Sequence, residues 1–387
     1  MQKAAALDVS KAAYAYPAYA HYLQQARTTI EQFKTSELRD YFGDACVDAA
    51  QTRTTLEHVA FDAAIIYPIL LAERSELLVS LPTGMQRVGV PVPGAQLERL
   101  TRTFRNALQA QDPQRYLRHA QRLYDWLIRP IETVLPATVQ TLVWVPDGVL
   151  RLLPVAALHN GEQFLVERYA MAVTPSLDLT DPRPLPQETA SVLAAGMTEA
   201  VADFPPLPHV REELQSLRQL YDRTVLLNQD FNPTRLARTI DEGEFGIVHI
   251  ASHGEFAAEP DNSFLLTSQG KLTLPQLART IAPLRYLEQP LELLTLSACE
   301  TAQGDDRTAL GLAGVAIQAG ARSALATLWR VADAATAVLM QRFYEHLSVP
   351  GTSRARVLQH AQLALLNDPA YASPVFWAPF LLINNWL

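Results

Sequence analysis

Phe245-Gly-Ile-Val-His-Ile-Ala-Ser-His-Gly254 and Leu291-Glu-Leu-Leu-Thr-Leu-Ser-Ala-Cys-Glu-Thr301 are the two stretches on which the reading of this chain turns. Each is a short apolar run that passes directly into small and polar residues, as a strand buried on both faces of a parallel sheet does. Phe245–Ile250 leads into His253 and Gly254, and Leu291–Leu296 leads into Cys299 and Glu300. If the two strands are neighbours, their ends lie roughly 5 Å apart, and His253 and Cys299 face one crevice. A thiolate is the nucleophile in cysteine hydrolases. An adjacent imidazole lowers the thiol pKa and later protonates the leaving amine. Gly254 lets a carbonyl approach the backbone, and its N–H together with that of Cys299 forms a candidate oxyanion hole. The competing reading is structural, because free cysteine is among the most buried residue types and a lone histidine is usually a core residue. His249, inside the strand in phase with Phe245 and Ile247, reads that way. The residue pattern alone leaves both readings open.

Outward from these stretches the second half alternates strand and helix. Strands are predicted at Ser191–Ala195, Val225–Leu227, Ser323–Leu328 and Phe380–Ile383. Helices are predicted at His209–Tyr221, from Asn232-Pro233 to about Ile240, and at Thr308–Ala319, Ala334–Leu347 and Arg354–Leu366. Such alternation means a mostly parallel sheet covered on both faces, with functional groups gathered beyond the carboxyl ends of its strands. In the first half, residues 17–58 read as helix, with Tyr19, Leu23, Ala26, Ile30 and Phe33 along one face and Glu31, Lys34 and Glu37 between them. Ala63–Leu71, Leu77–Leu81 and Val88–Val92 read as a hairpin with a third strand. Leu97–Leu108 and Tyr116–Ile131 read as helices. Asp147-Gly148 predicts a two-residue turn between strands Thr141–Val145 and Leu150–Val155, and Phe164–Thr174 is a further strand. Pro175, Pro182, Pro184 and Pro186 mark a boundary. The expected organisation is a helical segment at 1–59, an α/β half at 60–185 and a second α/β domain at 186–387.

The 387 residues carry 49% apolar and 19% charged side chains, a globular composition with enough length for two domains. Lys+Arg number 32 against Asp+Glu 40, and no basic run offsets the net charge of -8, which argues against direct nucleic-acid binding. Two cysteines, Cys46 and Cys299, exclude a disulfide framework and any four-cysteine zinc site, and fit a reducing compartment. The purest apolar run, Ala63–Ala72, is about half of the roughly 20 residues that span a bilayer. A soluble, cytoplasmic protein without a membrane partner is expected. Phosphate-loop, serine-elbow, zinc-helix and dinucleotide fingerprints are lacking, so no metal or organic cofactor is expected.

The ordered motifs resemble the CHAT domain, a family of caspase-like cysteine peptidases related to separases and often attached to tetratricopeptide repeats. The resemblance rests on His249-Ile-Ala-Ser-His253-Gly254, Leu294-Thr-Leu-Ser-Ala-Cys299-Glu-Thr301, Gly311-Leu-Ala-Gly314, Ala319-Gly-Ala-Arg-Ser323 and Phe376-Trp-Ala-Pro-Phe380. Upstream, Val145-Pro-Asp-Gly148, Leu153-Pro-Val-Ala-Ala157 and Glu167-Arg-Tyr169 resemble its amino-terminal half, so nearly the whole chain is covered. The resemblance implies an α/β fold with a caspase-like, mostly parallel sheet flanked by helices, preceded by a degenerate caspase-like half and an N-terminal helical segment. It implies an endopeptidase with a Cys299/His253 dyad acting on a protein substrate. It also implies a preference for cleavage after a basic residue. The stretch Leu328-Trp-Arg-Val-Ala-Asp333 makes Asp333 the candidate acid of the substrate pocket, against the plainer role of a helix N-cap or first-turn acid. Arg330 would instead favour an acidic substrate residue, and Asp306 is a further acid near the thiol. Latency until a regulatory or tetratricopeptide-repeat partner binds is a further expectation. The alternative is a non-catalytic caspase-like scaffold for protein–protein interaction, and a third reading is a small-molecule-binding doubly wound domain.

Overall fold

The computed structural model describes residues 9–42, 61–181, 191–217, 221–257, 260–286, 291–297, 300–301 and 320–387. Both expected boundaries, near 59 and 185, and the expected helix Thr308–Ala319 lie outside these residues. The strands run in chain order as β1 (Ala63–Leu70), β2 (Ser75–Leu81), β3 (Gly84–Val90), β4 (Thr141–Trp144), β5 (Ala170–Val173), β6 (Val192–Gly196), β7 (Arg223–Leu227), β8 (Ile247–Ala251), β9 (Gly254–Phe256), β10 (Phe264–Thr267), β11 (Gly270–Thr273), β12 (Leu293–Ser297), β13 (Glu300–Thr301), β14 (Ser323–Thr327) and β15 (Phe380–Asn384). Among the described residues, eleven of them form one sheet in the order β3-β2-β1-β4-β5-β15-β14-β12-β8-β6-β7. Most of its pairings are parallel. The exceptions are the β1–β2–β3 meander at one edge and β15, which lies antiparallel to β14. Through its contact with β5, β15 carries the sheet from one half of the chain into the other.

β6, β8, β12 and β14 are buried along their whole length, as expected where helices cover both faces. The helices follow their signals: Asn232 caps Pro233–Glu242 by accepting from Arg235 N, and Ser353 caps Arg354–Leu366 by accepting from Arg356 N. At the amino ends of β12 and β14, Glu292 accepts from Arg322 at 2.7 and 2.8 Å and from Arg354 at 2.6 Å. This buried cluster fixes the end of the sheet opposite the crevice. It ties β12 and β14 to the Arg354–Leu366 helix.

Three expectations are corrected. Asp147-Gly148 does turn the chain, with Gly148 at φ 48°, but no hairpin follows. β4 pairs parallel with β1 and β5 instead, and Gly148–Leu152 winds into a 3-10 turn whose apolar side chains enter the core. Phe164–Thr174 is a strand only over Ala170–Val173, because Leu165–Arg168 forms a helical turn. The N-terminal helix, Val9–Phe42, is rotated from its expected face: Phe33 is 61% exposed, whereas Glu31 and Lys34 are buried. The polar atoms of these two residues find partners that compensate for lost water. Tyr67 donates to Glu31 Oε1 at 2.7 Å, Ser176 and Leu177 N donate to Oε2 at 2.6 and 2.9 Å, and Lys34 Nζ donates to the Pro146 carbonyl.

A second, four-stranded sheet in the order β11-β10-β9-β13 had no counterpart in the sequence reading. Its strands are two to four residues long. Periodicity does not register at that length.

Candidate active site

β8 and β12 are parallel neighbours, with Ser297 opposite Ala251, so the two decisive stretches end side by side as expected. Beyond the main sheet they meet again, because β13 pairs parallel with β9 and sets Glu300 opposite Glu255. Cys299 and Asp306 lie outside the described residues. The residues that bracket the cysteine, Ser297 and Glu300, are therefore anchored to the segments before and after His253.

His253 is buried, and its backbone is fixed by Leu266 N, which donates to the His253 carbonyl at 2.8 Å. Its ring Nε2 lies 2.7 Å from the Pro205 carbonyl oxygen. A carbonyl can only accept, so Nε2 bears a hydrogen, and in the neutral ring the lone pair is on Nδ1. That tautomer can take a proton from a thiol, and the carbonyl stabilises the imidazolium formed. The ring of Phe204 packs against the imidazole, with centroids 5.2 Å apart. Local structure makes this carbonyl available. Val201 and Phe204 close a tight loop with two backbone hydrogen bonds, and Pro205, Pro206 and Pro208 stiffen the chain that follows. Pro205 was missed in the sequence, although it follows β6 and so obeys the rule that sites gather beyond strand ends.

A narrow cavity of about 30 Å³ opens beside His253 and is lined also by Gly254, Ser297, Thr327, Arg330 and Asp333. Asp333 is half-buried at the first position of the Asp333–Leu347 helix, and Ala332 is the cap residue. Its Oδ2 accepts from His209 N at 2.7 Å, so the carboxylate ties two segments together. Burial, with a smaller contribution from the Glu213 carboxylate, holds its pKa above the usual range. Arg330 is exposed at the rim. Glu213, which sequence reading passed over as one acid among several on the Val210–Ser216 helix, is 1% exposed in side chain and lines the same cavity. His249 is fully buried within β8, with its Nε2 3.0 Å from Glu213 Oε1 and its Nδ1 3.0 Å from Tyr344 Oη.

A large mostly parallel sheet, flanked by helices and bearing this crevice at its strand ends, defines a mixed α/β protein of caspase-like fold. The CHAT domain model matches residues 117–385, and the chain belongs to the CHAT domain family. Tetratricopeptide repeat protein 28 of Homo sapiens is 24% identical over 325 residues, covering 68% of this chain. The Mus musculus protein of the same name is 24% identical over 322 residues. The chain spans 13% of the length of these relatives. Among solved structures, separase in the Saccharomyces cerevisiae separase–securin complex superposes with a TM-score of 0.53 at 11% identity, over 88% of this chain and 31% of that one. The Arg-specific cysteine proteinase gingipain R gives a TM-score of 0.44 at 10% identity, over 74% of each chain. Among the described residues no helix is long and apolar enough to cross a membrane.

Proposed function

We propose that this chain is a caspase-like cysteine endopeptidase in which Cys299 is the nucleophile and His253 the general base and acid. The observation that carries the reading is the 2.7 Å contact of His253 Nε2 with the Pro205 carbonyl, which leaves Nδ1 as the free base. In this mechanism Nδ1 takes the thiol proton, and the thiolate attacks the scissile carbonyl carbon. Gly254 and Cys299 N–H groups stabilise the resulting oxyanion. The imidazolium then protonates the departing amine as the C–N bond breaks, leaving a thioester. Water, deprotonated by the imidazole, hydrolyses the thioester and restores the thiol. Asp333, half-buried beside His253, supports a preference for a basic residue before the scissile bond. The repeat proteins among its relatives and the securin-bound separase support a protein substrate and a regulatory protein partner, with activity latent until that partner binds.

The pH dependence of iodoacetamide alkylation at Cys299, read by peptide mass spectrometry against Cys46, tests this reading without a substrate. The expected result is an apparent thiol pKa well below the ordinary value of about 8.5, returned towards it in His253→Ala. An ordinary or raised value unaffected by His253→Ala would overturn the dyad and favour a non-catalytic scaffold.

A further inference from the structure

The helices Gly94–Gln109 and Pro113–Leu127 pack side by side and concentrate positive charge in an otherwise acidic chain. Seven arginines and three acids stand between residues 94 and 129, whereas the whole chain carries a net charge of -8. Two of the three acids are committed elsewhere. Asp112 caps the second helix by accepting from Arg115 N, and Asp125 pairs with Arg129 at 2.6 Å. Arg99, Arg118 and Arg122 are exposed and form no ion pair among the described residues. Burial and the neighbouring Arg118, Arg115 and Arg122 guanidinium groups hold the His119 imidazole below its ordinary pKa, so the positive potential extends into the space between the helices.

That space is an open groove of about 470 Å³. Pro93, Leu100 and Trp126 give it an apolar surface, and its cations come from both sides, Arg99 on the first helix and Arg122 on the second. Among the described residues no carboxylate lines it. Arg122 lies over the Trp126 ring, 4.8 Å from its centroid, which holds the guanidinium at the groove. Such a lining fits an occupant that carries acidic groups with an apolar side chain between them. We propose that this groove is the docking surface for a short acidic segment of a protein partner, with carboxylates on Arg99 and Arg122 and an apolar side chain against Leu100 and Trp126. The small size of the occupant follows from the charges. A nucleic-acid duplex or an anionic bilayer would meet the field of the whole acidic chain, whereas a segment within a Debye length of about 8 Å feels chiefly the arginines. Guanidinium–carboxylate pairs then supply charge-assisted hydrogen bonds of fixed geometry. The inference does not depend on the peptidase reading.

The test is fluorescence anisotropy of the whole chain with a short fluorescein-labelled peptide of glutamates around a central leucine and phenylalanine. The parent should bind it, with an affinity that falls as salt is raised. Arg99→Glu/Arg122→Glu should weaken binding by at least about tenfold, since two charge pairs are lost and like charges replace them. Arg238→Glu/Arg279→Glu makes the same change in net charge at exposed positions outside the groove, and should bind within about twofold of the parent. None of these four arginines lines the cavity beside His253. Alkylation of Cys299 should therefore be unchanged in both variants, and a failure of docking leaves the dyad reading standing. Undetectable binding by the parent, or equal weakening in the two double variants, would overturn the proposal. Tighter binding of a single-stranded oligonucleotide or of phosphatidylserine vesicles than of the peptide, lost in Arg99→Glu/Arg122→Glu, would also overturn it and assign the groove to that polyanion.

Discussion

Lys34 offers a quantitative test of how the N-terminal helix is held. Its Nζ donates to the Pro146 carbonyl at 2.5 Å and lies 4.0 Å from Asp147, on the buried face of the helix. Burial pushes its pKa down from the ordinary 10.5 to about 8, the lost hydration outweighing the attraction of Asp147. At ~1.4 kcal/mol per tenfold, that gap corresponds to about 3 kcal/mol. Below about pH 8 the folded and unfolded chains both carry the charged amine, and the folded chain bears the whole cost. Between about 8 and 10.5 the folded chain releases its proton first, so the contribution of this group to stability rises with pH. Above that window both forms are neutral and the gain is complete. Lys34→Met should therefore be more stable than the parent at pH 7. The expected margin is about 3 kcal/mol less ~1 kcal/mol for the lost hydrogen bond. Near pH 10 the advantage should vanish or reverse. Urea denaturation followed by tryptophan fluorescence at several pH values measures the difference, in which shared tyrosine ionisations cancel. A difference that stays constant from pH 7 to pH 10 would refute the reasoning, because it would mean that the amine keeps its ordinary pKa.

A further outcome follows from the buried charges. Glu292→Gln would leave the fully buried Arg354 guanidinium without its carboxylate, while Arg322 keeps its ion pair with Asp181 at 3.2 Å. A loss of about 3–5 kcal/mol is expected by chemical denaturation, and a loss below about 1 kcal/mol would show that the cluster is hydrated.

What the sequence by itself determined is local or strongly periodic. The apolar runs of β6, β8, β12 and β14, the helices between them and the caps at Asn232 and Ser353 were legible because each depends on side chains within a few residues. The position of His253 just beyond β8 was legible for the same reason, and so was the approach of the two decisive stretches, since parallel strands in one sheet bring their ends together. Non-local partners decided the rest. The buried face of the N-terminal helix could not be read from apolar spacing, because Glu31 and Lys34 are compensated by Tyr67, Ser176 and Pro146, which are remote in the chain. The hairpin expected at Asp147-Gly148 failed because the apolar run after it packs into the core while β4 pairs with β1 and β5. The Pro205 carbonyl that orients His253 carries no side-chain signature. Glu213 came to line the cavity with Ser297, Thr327 and Asp333 only when the Val210–Ser216 helix packed against β8, because burial beside His249 arises only once distant segments come together.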